Sequence, residues 1–226
     1  MRYGKNSTRV ADEKKLYVLY DQIYWTLTFG NTVHYNPVSL RPSMKDYTVF
    51  VDGISKAFAA TGVRVGWSLG PAEVIAKMKA INSHVGAWAP MAEQKAVAKF
   101  LANGAAVENY FTTFKAEIEH RLIAIANGFK QLKNDGFSVD VIDPQAAIYL
   151  TVQINLVGKK VEDRILYNQA AVTSYILNEA KLAIVPFNCF GANSENSWYR
   201  ISVGCVLKEE INEMLAKLRR ALEKVN

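Results

Sequence analysis

Cysteine and histidine are scarce in this chain, and their scarcity excludes several kinds of chemistry. The only cysteines, Cys189 and Cys205, lack the paired spacing of a zinc site. A disulfide-stapled fold needs more of them, so two reduced, buried thiols are expected. Of the three histidines, His34 and His84 have no acid or cysteine at ligand spacing. Glu117 and His120 lie one helical turn apart, but no second such pair exists on another helix. They read as a solvated helix face, and no metal site is expected.

Long apolar runs are missing too. None approaches the roughly 20 residues of a membrane span. The opening MRYGKNSTRVADEKK is polar and lacks the apolar stretch of a secretory signal. No GxGxxG, P-loop or Ser/His/Asp constellation is present. The net charge of +6 is scattered, mostly beside acids, as in ADEKK and KKVEDR. No basic stripe is interleaved with aromatics, so neither nucleic acid nor membrane is expected as a partner. A cytoplasmic location is expected.

What is present is a chain of 226 residues, 50% hydrophobic and 21% charged, long enough to bury a sizeable core. LYVLYDQIYW (16–25), TVFVDG (48–53) and VRVGWSLG (63–70) read as strands. PAEVIAKMKAINSH (71–84) and PMAEQKAVAKFLANG (90–104) read as helices started by proline, the first with Val74, Ile75, Met78 and Ile81 at a helical period. Residues 105–132 form a long helical stretch with a possible break at Asn127-Gly128. Strands follow at FSVDVI (137–142) and AIYLTVQI (147–154), then a polar connection at 158–163 and a helix near 168–180. AIVPF (183–187) and WYRISVG (198–204) are short strands. KEEINEMLAKLRRALEKV (208–225) closes the chain with an apolar stripe at Ile211, Met214, Leu215, Leu218 and Leu222.

The first part therefore predicts a layered α/β arrangement and the last ninety or so residues an α+β one. The division is 1–104 for the larger domain, 105–132 for a linking helix and 133–226 for the smaller domain. Three strands make a poor parallel sheet, since both faces need cover and the edges need partners. The chain reads as starting in the middle of a domain.

Charged residues interrupt the apolar stretches in a pattern. Asp21 and Tyr24 stand where the first strand runs out, and Lys56 just past the second. Ligands collect beyond the carboxyl ends of strands in open α/β sheets. A lysine among Ile54, Ala57, Phe58 and Ala59 is a candidate amine nucleophile and Schiff-base former. A carboxylate suits a pyridine nitrogen, a phenol the neighbouring ring oxygen, and the forked guanidinium of Arg64 a phosphate. Together these parts describe a pyridoxal-phosphate site. Singly each has a plainer reading: a snorkelling lysine, an ion-paired arginine, a strand end.

GISKAFAATGVRVG (53–66), with lysine, then arginine eight on, then glycine, resembles the lysine signature of class I/II aminotransferases, which are fold type I pyridoxal-phosphate enzymes. DQIY (21–24) is similar to that family's Asp-x-x-Tyr. DPQAAIYL (143–150), PFNCFG (186–191) and WYRISVG (198–204) resemble its small-domain strand, the segment before its late arginine, and that arginine's strand. The resemblance covers nearly the whole chain, with the motifs in order. It implies the carboxy-terminal part of a mainly parallel-sheet large domain, followed by a small α+β domain. It also implies pyridoxal 5′-phosphate as cofactor, amino acid and 2-oxo acid as substrates, and a homodimer.

Carried over residue by residue, Lys56 is implied as the Schiff-base lysine and proton shuttle, Asp21 as partner of the ring nitrogen and Tyr24 of the ring oxygen. Ser55 and Arg64 are implied on the phosphate, and Arg200 on the substrate α-carboxylate. His84 and Trp88 lie in a loop that, by the same resemblance, approaches the neighbouring subunit's site. Gly53 stands where members often carry a serine, and Gln22 replaces a common glutamate, expected to be without consequence. The loop HVGAWAPMA carries no arginine to read a distal carboxylate. The family's chains are longer, and the portion before Asp-x-x-Tyr would hold a phosphate-binding turn and an aromatic that stacks on the ring. A non-catalytic half-domain, or a lyase or synthase on the same cofactor, is the alternative to a transaminase.

Overall fold

The structure is a computed structural model that describes residues 2–193 and 195–225. It is a mixed α/β protein whose chain divides into two compact units, Met1–Phe111 and Thr112–Asn226.

The first unit opens with α1 (Arg2–Lys14), then β1 (Val18–Asp21), the single turn α2 (Pro37–Leu40), β2 (Thr48–Gly53), the short α3 (Ile54–Ala57), β3 (Gly66–Leu69), α4 (Ala72–Val85) and α5 (Met91–Leu101). A long helix, α6 (Gly104–Asn134), begins here and continues into the second unit. The sheet order is β1-β2-β3, with β1 parallel to β2 and β3 antiparallel to it. The third predicted strand is thus shorter than expected and runs the other way from its neighbour. The first is cut to four residues, because Gln22 to Trp25 turn back under a hydrogen bond from the Trp25 N–H to the Gln22 carbonyl at 2.9 Å.

The α1 helix was not predicted over this length. Among its described side chains it buries only Thr8 and Ala11, too few to print a 3.6-residue apolar period. It is held by Asp12, which accepts from Arg41 Nη1 at 3.0 Å and Ser43 Oγ at 2.9 Å. Those two donors hold the Asp12 carboxyl below its ordinary range. Asn36 and Ser39 close a capping box on α2. The core of this unit gathers Leu27, Phe29, Met44, Val49, Ile54, Ala57 and Val65. Leu19 on β1 and Leu69 on β3 are 72% and 59% exposed, so both outer strands present uncovered apolar residues. Helices α4 and α5 bury no residue fully. Their apolar period is real, but none of the described residues covers Ile81 or Met91.

The second unit holds most of α6, then β4 (Val139–Val141), β5 (Tyr149–Ile154), the two-residue strands β6 (Lys160–Val161) and β7 (Arg164–Ile165), α7 (Gln169–Ala180), β8 (Val185–Pro186), β9 (Trp198–Ser202) and α8 (Ile211–Glu223). The four-stranded sheet runs β4-β5-β9-β8, antiparallel throughout. The 158–163 connection, read as polar loop, carries β6 and turns into β7 as a small hairpin. Strict alternation on β5 and β9 buries Leu150, Val152, Ile154, Tyr199 and Ile201 on one face. They join Leu122, Ile125, Phe129, Val172, Ile176, Leu218 and Leu222 from the helices in one apolar core.

No break occurs at Asn127-Gly128, since α6 is continuous from Gly104 to Asn134. A Cβ at Gly128 would meet the side chain of Leu215 on α8, so this glycine serves a close helix approach. The two cysteines are exposed, against the expectation of burial.

The Tyr199 hydroxyl is buried and finds no hydrogen-bond partner among the described residues. Burial pushes its phenol up to about 12 from 10.0. The folded protein thus favours the neutral phenol, and stability falls as pH rises from 10 towards 12, where the unfolded chain ionises first. Tyr199→Phe is expected to raise stability by about 1 kcal/mol, by removing an unsatisfied polar group. It should also flatten the alkaline limb of a urea-midpoint against pH profile.

Candidate functional site

Three chain segments meet at one end of the β1-β2-β3 sheet. Asp21 is the last residue of β1 and stands opposite Val51 of β2, so the carboxyl ends of these two parallel strands coincide. Gln22 N–H donates to the Val51 carbonyl at 3.0 Å, and Asp21 Oδ1 accepts from Ile23 N–H at 3.1 Å. This fixes the start of the turn that carries Tyr24. The Asp21 residue itself is exposed, and Tyr24 is half-buried.

At the end of β2, Asp52 is only 8% exposed. Its carboxylate accepts from Trp25 Nε1 at 2.8 Å, from the Gly53 N–H at 2.7 Å, and from the Gln22 side chain. Burial raises its pKa above the ordinary value, with those bonds opposing. Gln22 therefore has a consequence: a glutamate there would set a second carboxylate against Asp52. Neither Asp52 nor Trp25 was singled out from sequence, and an acid inside an apolar strand was the available signal.

The chain then enters α3. Ile54 and Ala57 are buried, which leaves Ser55 and Lys56 half-buried on the other side of the turn. Phe58 anchors its exit with ring centroids 5.6, 5.4 and 4.8 Å from Phe100, Tyr110 and Phe111. Two residues before β3, Arg64 adopts a left-handed backbone with φ of 60° and donates from Nη1 to the Thr61 carbonyl at 2.7 Å. A non-glycine residue in this region costs about 1–2 kcal/mol and recurs at ligand sites. Gly53 and Gly66 face each other across β2 and β3, and a Cβ on Gly53 would stand 2.9 Å from the Val65 carbonyl oxygen. That approach brings the lysine turn and the arginine turn to one sheet end.

Among the described residues, neither Lys56 nor Arg64 meets a carboxylate in an ion pair. Two unneutralised cations, a hydroxyl, a phenol and a carboxylate at the carboxyl ends of parallel strands form a donor set that fits a phosphorylated pyridine aldehyde. So does the strained arginine. Asp21, Tyr24, Ser55, Lys56 and Arg64 thus share one unit and one sheet end. Arg200 lies in the second unit, on β9, between Tyr149 and Phe190.

Other candidates fall away. Glu117 is engaged by Lys208 and Arg121, and the Lys208 hydrogen bond keeps its carboxyl below the ordinary range. No cluster of three or more metal-ligating side chains exists among the described residues. Trp88 lines a cavity of about 710 Å³ over Asp52, Trp67 and Met78, and none of Asp21, Tyr24, Lys56 or Arg64 takes part in that lining. No helix among the described residues is long and apolar enough to cross a membrane.

Residues 6–218 match the family model for aminotransferase class I and II. The chain belongs to that family. It is 29% identical over 215 residues to a bifunctional aspartate aminotransferase and glutamate/aspartate-prephenate aminotransferase of Petunia hybrida, covering 94% of this chain and 43% of that protein. It is 34% identical over 185 residues to an aspartate aminotransferase of Pinus pinaster, covering 80% and 36%. The aromatic aminotransferase of Pyrococcus horikoshii superposes with a TM-score of 0.82 at 25% identity, over 97% of this chain and 54% of that one. The chain spans less than half the length of these two curated relatives. Enzymes of this family work with pyridoxal 5′-phosphate.

Proposed function

We propose that this chain is the carboxy-terminal portion of a pyridoxal-phosphate aminotransferase that exchanges an amino group between an amino acid and a 2-oxo acid. The observation that carries the reading is the unneutralised Lys56 and Arg64 pair at the sheet end that also holds Asp21. The first unit then belongs to a mainly parallel large domain, the second is a small α+β domain, and the active enzyme is a cytoplasmic homodimer.

When bound, the cofactor supplies an aldehyde that takes up amines and a ring that spreads negative charge from the amino acid α-carbon. Lys56 Nζ is the amine that would hold the aldehyde at rest and, once freed, would carry the proton between the substrate Cα and the former aldehyde carbon. The Asp21 carboxylate holds a proton on the ring nitrogen, and the Tyr24 hydroxyl binds the ring oxygen. Ser55 and Arg64 bind the phosphate, with the permanent charge of Arg64 as the larger contribution. Arg200 takes the substrate α-carboxylate through two parallel N–H donors.

The test is a visible absorption titration of the full chain with pyridoxal phosphate, followed by L-aspartate and then 2-oxoglutarate. A visible band that falls with the amino acid and returns with the oxo acid is the expected result. No band overturns the reading. The uncovered Leu19, Leu69 and Ile81 favour a second reading, a half-domain that binds the cofactor without turning over. It predicts a band indifferent to both substrates.

A further inference from the structure

Three of the motifs picked out in the sequence converge on one side chain. AIYL supplies Tyr149, PFNCFG supplies Phe190 and WYRISVG supplies Arg200. The Arg200 guanidinium carbon lies 4.3 Å from the Tyr149 ring centroid and 4.3 Å from that of Phe190. Resting on the reading of Arg200 given above, we propose that Tyr149 and Phe190 are positioning residues, which clamp the guanidinium so that its N–H fork is presented to one planar carboxylate.

The backbone explains how the clamp is built. Alternation on β9 turns Tyr199 and Ile201 into the core and leaves Arg200 on the opposite face. Tyr149 pairs with Ser202 across β5 and β9, one diagonal step from Arg200 on that same face. Phe190 ends a 3₁₀ turn, Phe187–Phe190, closed by Gly191 at φ of 87° and by the Gly191 N–H on the Asn188 carbonyl at 3.1 Å. Phe187 braces it edge-on, with centroids 6.1 Å apart. Phe190 is nonetheless 51% exposed, an unfavourable place for a bare phenyl ring.

The chemistry follows from what surrounds the cation. Among the described residues Arg200 meets no carboxylate. Rings on a guanidinium restrict its rotation and strip water from its faces, but leave its charge and in-plane donors unspent. A carboxylate neighbour would have oriented it by consuming those donors. Restricting the fork beforehand lowers the ordering cost of binding an anion that takes two parallel N–H groups at once, as a carboxylate does. A lysine would keep the charge and lose the fork.

The test is NMR of the full chain, following the Arg Nε–H signals while titrating succinate as the carboxylate probe. Arg200→Lys identifies the Arg200 signal. In the wild type this signal should stand apart through ring-current shift and move on succinate addition. Phe190→Leu and Tyr149→Leu are each expected to weaken succinate about threefold to fivefold, and together about tenfold or more. Tyr149→Phe, which keeps the ring, should weaken succinate less than Tyr149→Leu does. Thermal melts matching the wild type separate this from unfolding. If the ring-less variants bind succinate as tightly as the wild type while Arg200→Lys loses it, the clamp is overturned and the carboxylate role of Arg200 stands. If succinate leaves the Arg200 signal unmoved in the wild type, that role fails, and the clamp with it.

Discussion

Lys56→Ala is expected to abolish covalent capture of pyridoxal phosphate. Borohydride treatment of the wild-type chain should place a stable label on the peptide containing Lys56, and the variant should show none there. Only a primary amine on this turn can attack the aldehyde, and the other polar groups around it, Asp21, Tyr24, Ser55 and Arg64, offer no substitute nucleophile. Turnover in an active assembly should fall by at least about 10²–10⁴-fold, because the same amine moves the α-proton. Stability should change little. Lys56 is half-buried on a short helix and pairs with no acid among the described residues, so its removal leaves no stranded charge. Peptide mass mapping beside a thermal melt checks both halves. Label spread over many lysines in both proteins would refute the assignment.

Gly53→Ala is expected to have the largest effect on stability at the site. Its Cβ would stand 2.9 Å from the Val65 carbonyl oxygen and 3.0 Å from the Gly66 Cα, both backbone atoms of the facing segment. A side chain can swing away, but backbone in a paired strand cannot move without parting β2 from β3. The expected cost is about 1–3 kcal/mol, the range of overpacking in a well-packed interior. Cofactor affinity should fall as well, because this contact joins the Lys56 turn to the Arg64 turn. Gly62, with nothing within 4 Å of its added Cβ, is the control and should change stability by less than about 0.5 kcal/mol. Urea unfolding of both variants makes the comparison. Equal midpoints for Gly53→Ala and wild type would mean the two strands do not approach this closely.

The strands and helices that could be read from sequence were those with a clean pattern and clear ends. TVFVDG became β2 over the same residues, and the helix read over residues 71–84 formed at Ala72–Val85. Where the pattern was weak or shared, reading failed. α1 hides behind two small buried residues, and Asn127-Gly128 looked like a stop until Leu215 was seen packed over the glycine. The exposure of Cys189 and Cys205 defeated a rule that holds only on average.

The sequence by itself determined the chemistry on offer. Lysine and arginine eight apart, Asp-x-x-Tyr upstream and a late arginine strand, in that order, carry the family whatever the packing. Only the tertiary structure decided how those groups are held. The left-handed Arg64, the glycine contact between β2 and β3, the Gln22 bond to buried Asp52 and the aromatic clamp on Arg200 join separate segments of the chain. Spacing along a chain sets which residues can share a turn or a strand face. Which distant segments touch depends on burial and register, and these exist only once the chain has folded.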